Sequence, residues 1–174
     1  MLSLVVRRNM AFVSEILIAE STSAPMTARS EARAVPGRGL EGDRYFHGVG
    51  TFSPHPQKPD FEVTLIEKEK IDAFGRETGL CFTASDARRN LVTEGVDLNA
   101  LAGREFSVGS VRFRGIRLCE PCTHLAKISF AETLKGLVHK GGLRAQIVSG
   151  GLIHVGDAII TDGPKDAALQ FINH

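Results

Sequence analysis

The chain is short of several things that would settle a function class at once. Of its 174 residues 21 are basic and 20 acidic, a net charge of +1. So small an imbalance gives no support to binding nucleic acid or a membrane surface through bulk charge. Three cysteines are an odd number, too few for a disulfide framework, and fit a reducing compartment. The first residues place their apolar side chains before Arg7 and Arg8, the reverse of a secretory leader. No apolar run approaches the ~20 residues that a membrane-spanning helix needs. These features together describe a soluble, cytoplasmic protein with no membrane partner. A length of 174 residues suits one sizeable core, giving a single domain over 1–174 with its core at about 12–161 and a tail at 162–174.

Glycine and proline, by contrast, are plentiful and evenly spread, 18 and 7 of them. They punctuate many short apolar segments, the pattern of a strand-rich sandwich or barrel. Strands are expected over 12–19, 29–35, 61–66, 91–93, 104–108, 111–118, 145–148 and 158–161. A helix is expected over 67–78, where Ile71 and Phe74 recur at helical spacing before Gly79, and another over 131–139, stopped by Gly141-Gly142. Thr83, Ser85 and Asp86 supply N-cap chemistry for a short turn, and 97–101 reads as one helical turn. Gly109-Ser110 has the form of a hairpin turn, and Gly150-Gly151 and Gly156-Asp157 read as further turns. The stretch 37–60, rich in Gly, Pro and His, reads as a long loop, and loops of that length are uncommon without a task. Cys81, beside Phe82, reads as core.

The chemistry concentrates at Cys119-Glu-Pro-Cys122, at the end of an alternating strand and expected on a turn. A zinc site would need two further soft or imidazole ligands, and there is no second Cys-x-x-Cys. A thioredoxin-like pair would open a long helix after the first strand of a βαβ unit, and no such unit is visible. Two small buried hydrophobes are the plain alternative. The remaining reading is a reactive thiolate that accepts sulfur or ligates a soft transition metal, with Arg117 and His124 near enough to favour the anion. Arg88-Arg89-Asn90 offers planar forks and an amide suited to phosphate or another anion. The alternative is a structural ion pair and a turn cap.

In order along the chain, Gly42-Asp43-Arg44, Arg88-Arg89-Asn90-Leu-Val-Thr-Glu-Gly-Val-Asp-Leu, Leu101-Ala-Gly103, Phe106-Ser-Val-Gly109, Cys119-Glu-Pro-Cys122, Gly150-Gly151 and Gly156-Asp157 resemble the MOSC domain family, named for the C-terminal domain of molybdenum cofactor sulfurases. The resemblance runs from about Phe12 to Ile160. It implies a mainly β fold: a closed MOSC-type β-barrel, pyruvate-kinase-barrel-like, with a few short helices. It implies the molybdenum cofactor (molybdopterin) as ligand, with Cys122 as molybdenum ligand or sulfur acceptor and Cys119 as its partner. Arg88, Arg89, Asn90, Asp43, Arg44 and His124 are then the cofactor-binding candidates. His47 stands where family members carry a histidine soon after the Gly-Asp pair, displaced here by Tyr45-Phe46.

Two activities follow from the resemblance. One is an oxidoreductase that reduces N-hydroxylated or N-oxide compounds and draws on a separate electron-donor protein, since no haem or flavin segment is visible. The other is a sulfur carrier holding a persulfide on Cys122 for metal-sulfur cluster or cofactor assembly. Any pyridoxal phosphate chemistry would then belong to a separate sulfur-donor protein. Exposed strands at a barrel mouth would allow a homodimer.

Overall fold

The structure is a computed structural model and describes residues 10–162. The tail beyond Asp162 lies outside the described residues. Two sheets share one core. The larger has eight strands: β1 (Phe12–Ile18), β2 (Thr27–Arg29), β5 (Val63–Glu67), β6 (Leu91–Glu94), β7 (Glu105–Val108), β8 (Val111–Leu118), β9 (Leu143–Ser149) and β11 (Ile159–Thr161). Its order is β11-β7-β8-β9-β5-β6-β1-β2. The smaller sheet joins β3 (Glu31–Val35), β4 (Gly39–Leu40) and β10 (Gly151–His154) in the order β10-β3-β4. Ala32, Ala34, Leu40 and Ile153 from the small sheet pack in one cluster with Val13, Val63, Leu65, Phe106, Phe113 and Ile147 of the large one.

A second apolar cluster joins Leu17, Ile66 and Val92 of the large sheet to three short helices and to Leu137, which caps a fourth. The four are α1 (Lys68–Thr78), α2 (Ala84–Ala87), α3 (Thr123–Ile128) and α4 (Thr133–Gly136). Strand β5 is therefore covered on both faces, and all five of its residues are buried. Its pairing with β6 is parallel, and a strand in that situation reads as a near-continuous apolar run. Helix α1 buries Ile71 and Phe74 and ends on Gly79 at φ 72°, where its N–H closes on the Gly75 carbonyl. Asp86 closes α2 from the front, its carboxylate accepting from the Thr83 N–H at 2.8 Å and hydroxyl at 2.7 Å.

The closed barrel is not what forms. Among the described residues no sheet closes on itself; the large sheet is open, with β11 and β2 at its edges. The cause lies in β1. Its outer edge pairs with β2 at Ile16, Leu17 and Ile18, so only its first residues face the opposite end of the sheet. There the contact is one isolated bridge, Phe12 to Ala158, with backbone bonds from Val13 N–H to the Asp157 carbonyl (3.0 Å) and from Ile159 N–H to the Ala11 carbonyl (2.8 Å). That seam is too short to make a ladder.

Other expectations shift for local reasons. The single strand expected over 29–35 is divided at Ser30 between the two sheets. Gly150-Gly151 does not simply turn: Gly151 begins β10, unrecognised in the sequence because two glycines gave it no apolar alternation. The helix expected over 131–139 contracts to Thr133–Gly136, and His139 sits at φ 58°, incompatible with a continuing helix. Cys81 is exposed, because Phe82 takes the core position beside Phe74 with ring centroids 4.6 Å apart.

Candidate functional site

The cysteine segment leaves β8 and enters α3 without a turn between them, correcting the expectation of thiols on a turn. Pro121 has no N–H to offer a helix, and α3 begins directly after Cys122. Cys122 is its N-cap, with Sγ accepting from the Leu125 N–H at 3.4 Å. It is half-buried and its thiol is free. Cys119 is buried, 2% exposed, and its backbone N–H donates to the Gly142 carbonyl at 2.7 Å.

Arg89 holds this segment from behind. Its guanidinium donates to three carbonyls, Gly141 at 2.8 Å, Ala87 at 3.1 Å and Cys119 at 3.2 Å. A planar fork with five donors suits that task as an ammonium would not. Asn90 is fully buried: Oδ1 accepts from the Thr64 N–H and hydroxyl, both at 3.1 Å, and Nδ2 donates to the Leu17 carbonyl at 3.2 Å. It pins β1 to β5 and does not reach the cleft. Asp43 is also fully buried, its carboxylate taking the Ala19 N–H, the Tyr45 N–H and the Arg44 guanidinium at 3.0 to 3.1 Å. Arg44 passes the connection on to the Arg88 carbonyl at 3.2 Å. His47 is exposed, edge-on to Phe46. Arg117 turns away to Asp60 at 2.8 Å.

What remains is a cleft that brings together Cys122, Cys119, His124, Arg88, Arg89 and Arg44 with residues the sequence reading passed over: Arg144, Tyr45, Thr22 and Phe52. It encloses about 70 Å³, and about 480 Å³ counted out to its open mouth. Among the described residues Glu120 is the one carboxylate on its wall, and that group is already bonded to the His139 N–H at 3.0 Å. Arg88 caps α2 in the left-handed region at φ 55° and donates to the Thr22 and Ala24 carbonyls, each at 2.8 Å. Burial lowers its pKa, and the neighbouring Arg44 charge adds to that.

Arg144 donates to the Asp60 carbonyl at 3.2 Å and lies over the Phe61 ring at 4.9 Å. Burial opposes its charge, but Cys119, Tyr45 and Asp60 outweigh that and raise its pKa. Its signal was in the sequence: it is the polar step between Leu143 and Ala145 on β9, and an arginine in an alternating strand between core residues must point away from them. The Nε2 of His124 is buried in the cleft wall and has no hydrogen-bond partner among the described residues.

Among the described residues no three His, Cys, Asp or Glu side chains cluster as a hard or zinc-type metal cage. Among the described residues, a wider groove of about 570 Å³ beside Val96, Arg104 and Ile160 is lined by neither cysteine nor histidine. Among the described residues no helix is long and apolar enough to cross a membrane.

Two packed sheets and a cleft lined by Cys119, Cys122 and four arginines define a β-rich protein with thiol and guanidinium groups at one site. The MOSC domain family model matches residues 52–160, more than half of the chain, and the chain belongs to that family. It is a molybdenum-cofactor-sulfurase-like domain protein, from a family associated with molybdenum-cofactor binding.

Its fold is similar to that of the YuaD protein from Bacillus subtilis, at TM-score 0.74 and 15% identity, covering 86% of this chain and 94% of that one. It is similar to YiiM from Geobacillus stearothermophilus at TM-score 0.69 and 14% identity, covering 91% and 78%. YiiM from Escherichia coli aligns at TM-score 0.63 and 18% identity, covering 87% and 70%. At such identities the likeness is one of fold alone. Among curated proteins none matches.

Proposed function

We propose that this protein binds the molybdenum cofactor in the cleft and reduces N-hydroxylated or N-oxide compounds there, with Cys122 as the metal's protein ligand. The observation that carries this reading is a half-buried free thiol in a cleft where four arginines face one carboxylate. A dithiolene-bound molybdenum is soft and matches a thiolate, and guanidinium groups match the cofactor's phosphate. The donor set fits the cofactor. The volume fits it only when the open mouth is counted.

In this reading Cys122 holds the metal, and Arg88 and Arg144 face the anionic tail. Arg89 touches no ligand but fixes the Cys119 carbonyl, and hence the path of the segment to Cys122. The unpartnered Nε2 of His124 offers a hydrogen bond to the oxygen that leaves the substrate. When bound, the cofactor supplies the two-electron reduction. The overall balance is R–NHOH plus two electrons and two protons giving R–NH2 and water, with the electrons supplied by a separate donor protein.

A second reading, a sulfur carrier with a persulfide on Cys122, is favoured by the small enclosed part of the cleft, which suits one extra sulfur atom better than a pterin. Expression in a host that makes the cofactor, followed by metal analysis and intact mass, separates the two. Stoichiometric molybdenum in the wild type that disappears in Cys122→Ala supports the reductase. Metal-free protein carrying an added sulfur atom, absent from Cys122→Ala, supports the carrier. Metal-loaded protein that fails to reduce hydroxylamine with an artificial reductant counts against the reductase.

A further inference from the structure

The stretch from His124 to Lys140, just after the cleft cysteine, presents large apolar side chains to solvent. Ile128 is 39% exposed, Leu134 42% and Val138 43%. Interleaved with them are the exposed Lys127, Lys135 and Lys140. None of the three lysines pairs with a carboxylate among the described residues. The stretch contains one acidic residue, Glu132, in a chain whose net charge is only +1. The positive character is therefore local. Helix α3 packs against α4, so these exposed apolar and basic residues belong to one packed helical segment that begins at the capping Cys122.

We infer that the α3–α4 face is the docking surface for an acidic electron-transfer protein. The inference rests on the reductase reading above, which needs two electrons from outside. An apolar centre with a charged rim is the ordinary anatomy of a transient interface, and electron-transfer pairs sit at the small end of interface sizes. Charge complementarity selects the partner's sign and speeds its arrival. A second copy of this chain is the poorer occupant, because a two-fold contact would set this lysine-bearing face against itself. Docking here places the donor at the mouth of the cleft, since Ile128 belongs both to the exposed set and to the cleft wall.

The experiment compares two reductants on molybdenum-loaded protein: reduced methyl viologen and an acidic [2Fe-2S] ferredoxin. The variant is the triple charge reversal K127E/K135E/K140E, and no position in it lines the cleft. We expect KM for ferredoxin to rise about tenfold or more, with a weakened salt dependence, while the viologen-driven rate is unchanged. An unchanged KM for ferredoxin overturns the inference, as does an equal loss with both reductants. If the loaded wild type reduces nothing with viologen, the reductase reading falls; ferredoxin binding measured by calorimetry then still decides the surface, because binding indifferent to salt and to charge reversal refutes it. A dimer in sedimentation that dissociates in the triple variant also refutes it, assigning the face to a second copy. The single substitution Leu134→Ser covers the case in which three reversals impair folding, with the same expected split between reductants.

Discussion

At the residue scale, much of the holding is done by buried polar side chains bonded to backbone groups. Glu62 is 1% exposed and lies between the β3–β4 turn and β9, where Gly37 donates to its Oε1 at 2.8 Å and Ile147 at 3.4 Å. Burial raises its pKa from 4.5 to about 7, outweighing both backbone donors. The folded state then binds a proton that the unfolded chain releases. Stability from this group is complete below about pH 4.5 and is lost as pH rises through about 7. The loss is on the order of 3 kcal/mol. Chemical denaturation across that range is expected to show midpoints falling with pH in the wild type and a flatter profile in Glu62→Gln, which retains an oxygen acceptor. Parallel slopes in the two proteins would remove Glu62 as the cause.

At the element scale, Gly141 and Gly142 decide more than any helix end. Gly142 has φ 98°, and a Cβ there would run into the Leu65 carbonyl; one on Gly141 would run into the Cys119 carbonyl. The pair lets β9, β5 and the cysteine segment approach backbone to backbone. Gly142→Ala is expected to destabilise by several kcal/mol, because positive φ and the collision act together. Thermal unfolding checks this, and a shift of only a degree or two would contradict the close approach. The sequence pointed to these glycines for a different reason, as a helix stop. It conveyed well what local chemistry controls: α1 with its Gly79 cap, the N-cap chemistry of Thr83 and Asp86 at a short helical turn, and the β7–β8 hairpin at Gly109-Ser110. It conveyed poorly what distant chain controls. Asn90 looked like a ligand residue because its amide suits a phosphate or pterin oxygen, and Asp43 because it falls in the Gly-Asp-Arg motif of the resemblance; only the fold shows those groups engaged by the backbone of β1, β5 and Ala19. Arg144 was overlooked because its place between Leu143 and Ala145 tells that it points away from the core, not that a cleft lies on that side.

At the scale of the whole molecule, the open sheet sets where the fold gives way first. β8 and β9 share a long antiparallel register from Arg112 to Leu118, while the seam between β1 and the residues before β11 rests on a few bonds about Phe12 and Ala158. Local opening follows such differences in cooperative support. Hydrogen exchange is expected to be faster at the amides of Val13 and Ile159 than at those of Phe113 and Ala145. Equal protection would mean that the seam is as firm as a ladder.

The tie between Arg89 and the Cys119 carbonyl has a practical corollary. The path of this sulfur-bearing peptide is dictated by stretches some 30 and 20 positions distant, so transplanting the thiol into another scaffold as a short linear graft would leave its supports behind. A designer would have to move three separate lengths of polypeptide together, the arginine, the paired glycines and the cysteine peptide, before the transplanted group could be expected to behave as it does here.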